Sequence, residues 1–381
     1  MKRNQLLKKM KTRKNHRIII SGGGTGGHIF PAVSIANAIR MKDPGAEILF
    51  VGALGRMEME KVPAAGYPIK GLPIAGLHRE FTPRAVAANL LLPVRLIQSI
   101  LAAIRIIREY RPSAAVGVGG YASGPLLWAA GQKRIPYILQ EQNSFAGKTN
   151  KILAKRAVRI CVAYSGMEQF FPAPKIVLTG NPIRKEIRPA DLKMQKEGLG
   201  HFQLDPEKKT ILVIGGSLGA GTLNRCVREF LPRMEAQNIQ ILWQCGKNGI
   251  AGAKDATGQF PGIPVYPMEF IHRMDLAYAA ADLVISRAGA GSISELCTAG
   301  KACIFVPSPN VAEDHQTHNA LALVREGAGH MVPDREAPAV LMDKALELIS
   351  NDRELKRLSE NILKLSRPAA AEQIAEMVLE L

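Results

Sequence analysis

Apolar residues come in short runs along this chain, and each run stops at a cluster of small or polar residues before a helical spacing begins. Residues 18–20 run into Ser21-Gly22-Gly23-Gly24-Thr25-Gly26-Gly27-His28, with a helix predicted from Pro31 to Met41. Residues 48–51 end in Gly52-Ala53, and residues 115–118 end in Gly119-Gly120-Tyr121. Residues 137–139 lead into Gln140-Glu141-Gln142-Asn143, more polar positions in a row than a turn requires. The pattern then repeats: residues 210–214 meet Gly215-Gly216-Ser217-Leu218-Gly219-Ala220-Gly221, and residues 283–285 meet Ala288-Gly289-Ala290-Gly291-Ser292 before a helix expected from Ile293. A further run, 302–306, precedes Pro307-Ser308-Pro309 and Glu313-Asp314-His315-Gln316. Runs without alternation are strands covered on both faces, so the fold class is α/β, with twin doubly wound parallel sheets facing across a cleft.

Asn181-Pro182 after a strand marks the join between the halves. Residues 84–110 read as helical with a break at Pro93; Leu96, Ile97, Ile100, Leu101, Ile104 and Ile107 share a broad apolar side, and Arg95, Gln98, Arg105 and Arg108 take the rest. Such an element either packs on a sheet or lies on an anionic membrane. A last amphipathic helix follows Pro368.

The length of 381 residues, with 47% apolar and 22% charged, suits two or three globular domains. The net charge of +17 is uneven: residues 2–17 carry eight Lys and Arg and no acid. No apolar core of a signal peptide follows them, and no uncharged run is long enough to span a bilayer. The basic start suits anionic lipid, nucleic acid or plain solvation. Five cysteines, an odd number without a Cys-x-x-Cys pair, point to a reducing compartment.

The chemistry sits at the strand ends. Gly22, Gly24 and Gly27 fit G-x-G-x-x-G, yet no acid closes the second strand and no Lys follows, so neither a dinucleotide fingerprint nor a Walker loop is complete. What the turn presents is His28, an imidazole suited to take a hydroxyl proton, with Glu141 as the alternative base and Asn143 beside it. In the second half a glycine turn before a helix favours an anion such as a diphosphate, with Ser217 and Arg184 as donors. Glu295, expected in the first helical turn, reads either as an ordinary helix charge or as the acceptor for a ribose diol. Gln316 suits sugar hydroxyls. No Asp-x-Asp and no metal-ligand spacing occur, so no metal and no cofactor are expected.

Residues 23–31, 140–143, 180–184, 215–220, 287–295 and 314–316 together resemble the MurG family, bacterial peripheral membrane glycosyltransferases that add GlcNAc to lipid I in peptidoglycan synthesis. The resemblance implies a GT-B fold: a basic extension (1–15) outside the match, an acceptor-binding Rossmann-like domain (16–180) onto which a C-terminal helix (367–381) crosses back, and a UDP-GlcNAc-binding domain (181–366). It places Ile271 on uracil through its backbone, Glu295 on ribose, Arg184, Ser217 and Ser292 on the diphosphate, and Ala290 and Gln316 on the sugar. His28, Glu141 and Asn143 fall on the acceptor side, and Thr25, Gly26 and Gly27 among the substrate-binding positions. Gly291 departs from the family pattern, where some relatives carry a bulkier residue. The implied reaction is an inverting, metal-independent transfer from UDP-GlcNAc to undecaprenyl-diphospho-MurNAc-pentapeptide. The implied partners are the anionic cytoplasmic face of the bacterial plasma membrane and cell-wall synthesis and division proteins, with no nucleic acid. A UDP-GlcNAc epimerase and a non-catalytic nucleic-acid binder are the rival readings.

Overall fold

The computed structural model describes residues 16–381 except 25, 75, 77–81, 83–88 and 217. The basic extension 1–15, Thr25 and Ser217 thus lie outside the described residues, as does the first part of the expected 84–110 helix. Two units form: one runs to Gln142 and adds Ala146–Pro182 and Ala369–Leu381, and the other comprises Asn143–Phe145 and Ile183–Pro368.

The first unit holds strands β1 (Arg17–Ser21), β2 (Glu47–Ala53), β3 (Ile69–Leu72), β4 (Ala114–Gly117), β5 (Tyr137–Glu141), β6 (Arg159–Val162) and β7 (Ile176–Leu178). They make one sheet in the order β3-β2-β1-β4-β5-β6-β7. Every pairing is parallel; Ile20, for example, lies between Phe50 and Val116. Its crossover helices are α1 (Gly26–Lys42), α2 (Glu58–Ala64), α3 (Leu92–Tyr110), α4 (Ser123–Gln132) and α5 (Lys148–Leu153). Strand side chains alternate between faces, and both faces are covered. Ile18 and Ile20 pack with Ile35 and Ile39 of α1, whereas Ile19 packs with Ala103 and Ile107 of α3 and Leu126 of α4. That double cover is why the run reads as continuous Ile.

The second unit repeats the plan with β8 (Lys209–Ile214), β9 (Ile239–Gln244), β10 (Val265–Met268), β11 (Leu283–Ser286), β12 (Cys303–Phe305) and β13 (His330–Met331). Their order is β10-β9-β8-β11-β12-β13, again parallel. The helices are α6 (Leu192–His201), α7 (Gly221–Phe230), α8 (Ile250–Gly258), α9 (Met274–Ala280), α10 (Ala290–Ala299), α11 (His315–Arg325), α12 (Ala337–Ile349) and α13 (Asp352–Lys364). The chain then returns to the first unit with α14 (Ala370–Leu379), whose Ile374 and Val378 join the core beneath α1. Lys42 and Glu376 close the outer edge of that contact at 2.6 Å. All five cysteines are free and buried.

Three expected boundaries are corrected and one break is located. Helix α1 begins at Gly26 rather than Pro31, because a proline in the second turn forfeits only one backbone bond, that to Gly27. The break expected at Pro93 falls at Leu91, a turn between the helical Asn89 and Leu90 and the start of α3 at Leu92, so Pro93 stands in the first turn of the new helix. Helix α10 begins at Ala290, which moves Glu295 into the second turn. Gln140 and Glu141 belong to β5 and are buried, not part of a turn.

Candidate active site

In the first unit the glycine turn closes on itself. A Cβ at Gly22 would lie 2.9 Å from the His28 carbonyl, and one at Gly120 would lie 2.3 Å from the Gly23 carbonyl, so the two turns after β1 and β4 touch backbone to backbone. His28 sits in the first turn of α1, and its ring lies against Gly119, where a Cβ would meet Cδ2 at 2.5 Å and Nε2 at 2.8 Å. Gln142 is the polar neighbour of that point, its Oε1 3.6 Å from the same Cβ position. Its amide donates to the Val118 carbonyl and to Gln140, and the Asn181 amide donates to the Gln142 carbonyl at 3.1 Å. Gly26 and Gly27 form the start of α1 next to His28.

Glu141 is placed differently from expectation. Its carboxylate, 3% exposed, accepts the Gly147 N–H at 3.1 Å and the Asn150 amide at 2.9 Å, and so shapes the segment that follows β5. Asn143 groups with the second unit, where its Oδ1 accepts the Asn319 amide at 3.1 Å. Asn319 also accepts the backbone N–H and the hydroxyl of Ser144, and Phe145 stacks on His318 with centroids 5.1 Å apart.

In the second unit Arg184 and Glu295 form a fork: Nε to Oε1 at 2.8 Å and a terminal nitrogen to Oε2 at 2.7 Å. Tyr278 donates its hydroxyl to the same Oε2 at 3.2 Å. Burial works against charge on Arg184, but the bond and the charge of Glu295 outweigh it and leave the guanidinium above its ordinary pKa. Burial, then the Glu295 charge, hold the Tyr278 hydroxyl well above its usual range, so it stays a donor. The fork uses one of the two terminal nitrogens of Arg184 and leaves donors for a further anion.

Helix α10 opens at Gly289 with no side-chain cap, its first backbone bond being Ile293 N–H to the Gly289 carbonyl. The N–H groups of Ala290, Gly291 and Ser292 therefore stand at an uncapped helix start, which favours an anion. A Cβ at Gly289 or Gly291 would meet nothing within 4 Å, so a bulkier residue at 291 has room. The Ile271 N–H is already bonded, to Gln244 Oε1 at 3.0 Å, which leaves the carbonyl as the backbone group for a ligand. Gln316, in the first turn of α11, accepts the Ser308 N–H at 2.9 Å through its oxygen. Among the described residues no three His, Cys, Asp or Glu side chains group as metal ligands.

Sequence reading missed Tyr278, Gln244 and Gln142. Gln244 had a usable signal, a polar residue closing a buried run at 239–244, but that strand was itself unrecognised. Tyr278 had none, because its partner is 17 residues away and on another helix.

Two Rossmann-like parallel sheets, the second with an uncapped helix start and an exposed Arg184 paired to the largely buried Glu295, form the twin-domain architecture of the GT-B glycosyltransferases. The glycosyltransferase family 28 N-terminal domain matches residues 18–162, and its C-terminal domain matches residues 210–374. The chain is 54% identical over 368 residues, 97% of this chain and 99% of the relative, to a Parabacteroides distasonis protein named UDP-N-acetylglucosamine--N-acetylmuramyl-(pentapeptide) pyrophosphoryl-undecaprenol N-acetylglucosamine transferase. A Phocaeicola vulgatus protein of the same name is 56% identical over 369 residues, 97% of each chain. Among solved structures, Acinetobacter baumannii MurG superposes with a TM-score of 0.78 at 26% identity, covering 96% of this chain and all of that one. The chain belongs to this family, the MurG glycosyltransferases.

Proposed function

We propose that this chain moves GlcNAc from UDP-GlcNAc to the 4-hydroxyl of MurNAc in undecaprenyl-diphospho-MurNAc-pentapeptide. The observation that carries the reading is the identity above one half, over nearly the whole of both chains, to relatives bearing that name. Residues 16–180 with 367–381 take the acceptor, and 181–366 take the donor. The 4-hydroxyl oxygen attacks the anomeric carbon from the face opposite UDP, the bond from that carbon to the diphosphate breaks, and the configuration inverts. His28 receives the hydroxyl proton. Glu141, tied to Gly147 and Asn150, supports the acceptor side by shaping the chain and not as the base.

UDP leaves with its negative charge on the diphosphate, stabilised by the start of α10 with Ser292, by Ser217 and by Arg184. A carboxylate beside a diphosphate would repel it; the fork neutralises Glu295, so Glu295 accepts ribose hydroxyls without that cost. The Ile271 carbonyl suits the uracil N–H, and Ala290 and Gln316 suit the sugar. No metal is required by this arrangement.

The test is transfer of labelled GlcNAc from UDP-GlcNAc to a lipid I analogue with EDTA present. A β-1,4-linked product that forms only with acceptor is expected. Donor conversion without acceptor would mean an epimerase instead.

The same reading puts the chain on the cytoplasmic face of the plasma membrane. No described helix is long and apolar enough to cross a bilayer. On α3 and the helical residue Leu90 just before it, Leu90, Val94, Ile97 and Leu101 are all more than half exposed and recur at helical spacing, with Arg105 and Arg108 exposed further along. Such a stripe suits insertion among anionic headgroups. Changing Ile97 and Leu101 together to serine is expected to weaken co-sedimentation with anionic vesicles at least about tenfold, while transfer to a short-chain soluble acceptor continues. Equal vesicle binding by the variant would remove α3 as the anchor.

A further inference from the structure

The acid that a dinucleotide fold places near the end of its second strand looks missing from the sequence, since β2 closes in Gly52-Ala53. Glu58, at the start of α2, supplies a carboxylate there from five residues further on. It is 1% exposed, its Oε1 accepts the Ala53 N–H at 2.9 Å, and its Oε2 accepts the Gly24 N–H at 2.8 Å. One side chain thus ties the end of β2 to the glycine turn after β1. Two glycines are explained by it: a Cβ at Gly23 would stand 2.2 Å from Oε1, and one at Gly52 would stand 2.5 Å from its Cγ. These positions are bare because the carboxylate passes through, not because a ligand approaches.

From Gly23 the contact continues. Gly120 packs on the Gly23 backbone, and its neighbour Gly119 receives the His28 ring. Gly24 itself, at φ +87°, lies two residues before α1, whose first turn carries His28. Both routes run from Glu58 to the imidazole, one through backbone packing and one along the chain.

We infer that Glu58 is a positioning residue for the transfer, holding the first glycine turn so that His28 meets the acceptor hydroxyl. This rests on the reading of His28 as the base. Glu58 touches no substrate in this role; it acts through the turn. A buried carboxylate accepting two backbone N–H groups from separate elements holds them more firmly than either neutral bond would. Glu58→Gln keeps the shape but turns an NH2 toward one of those donors, which opens the turn on one side.

The experiment compares wild type, Glu58→Gln, Glu58→Asp, His28→Ala and the double variant Glu58→Gln/His28→Ala, each checked for folding by circular dichroism and thermal melting. Expected for Glu58→Gln is a kcat about 10- to 100-fold lower, with an unchanged KM for UDP-GlcNAc because the donor belongs to the second unit. In the His28→Ala background the same change is expected to cost less than threefold more, since residues acting as one unit are not additive. Amide hydrogen exchange at Gly24 and Ala53, faster in Glu58→Gln than in wild type, reads the tether without any turnover. Full kcat in folded Glu58→Gln, or an undiminished loss in the double variant, would overturn the inference. If His28→Ala itself turned over normally, the base assignment would fall instead, and the exchange data would still report whether Glu58 holds the turn. Glu58→Asp, which keeps the charge but is one methylene shorter, should fall between the two if the tether is what matters; a loss in Asp equal to that in Gln with wild-type exchange at both amides would also count against it.

Discussion

His28→Ala transfers GlcNAc about 10²- to 10⁴-fold more slowly than wild type, the range a positioned general base contributes. UDP binds the variant as before. The two expectations belong together, because His28 sits in the first unit against Gly119 while the residues proposed for the nucleotide all lie in the second. A loss of structure would instead lower both quantities. The ring stands at the end of the sheet on which Ser21, Gly117 and Glu141 close their strands, where open parallel sheets bind ligands. Steady-state kinetics with saturating donor, alongside a calorimetric titration with UDP, separates the outcomes. Normal turnover would remove His28 as the base, and Glu141, occupied by Gly147 and Asn150, would not replace it without a rearrangement of residues 142–150.

Arg184→Ala weakens UDP about 10- to 100-fold, in line with loss of a hydrogen bond to a charged group, and leaves uridine affinity much less affected. Two effects add in the variant. The diphosphate loses a guanidinium donor, and Glu295 loses the partner that neutralises it, so a repulsion appears where an attraction was. Adding Glu295→Gln to Arg184→Ala is therefore expected to recover part of the UDP affinity, a result that no picture of two independent contacts gives. Lysine at 184 should rescue poorly, because an ammonium cannot make the fork that Nε and a terminal nitrogen make with Glu295. Titrations with UDP and with uridine decide it; equal affinity of wild type and Arg184→Ala for UDP would place the diphosphate elsewhere.

The parallel sheets were legible because double cover leaves an unmistakable mark: Ile18, Ile19 and Ile20 are all fully buried although they face two different layers. Helix starts were less legible. Pro31 and Ile293 are the first strong helical signals in their stretches, yet α1 and α10 each begin several residues earlier, at Gly26-Gly27 and Ala290-Gly291, small residues that carry no periodicity of their own. His28, Arg184 and Glu295 were legible in the sequence as candidates. Their partners were not, since pairing depends on the fold bringing together positions 111 apart, as with Arg184 and Glu295, or 34 apart, as with Gly24 and Glu58. Glu141 and Asn143 stand two positions apart in the chain and yet serve different units, a divergence no local pattern announces.

Helix α14 has a consequence for how the molecule is made. Ile374 and Val378 fill the layer beneath α1, so the unit whose strands leave the ribosome first waits for a segment translated after the whole of the second unit. Until then Ile35, Ile39 and their neighbours keep an uncovered apolar flank in the nascent chain, a surface for a chaperone to shield. The helix that begins beside His28 is thus seated last, and an enzyme halted short of residue 370 would emerge with its second unit complete and its first still open.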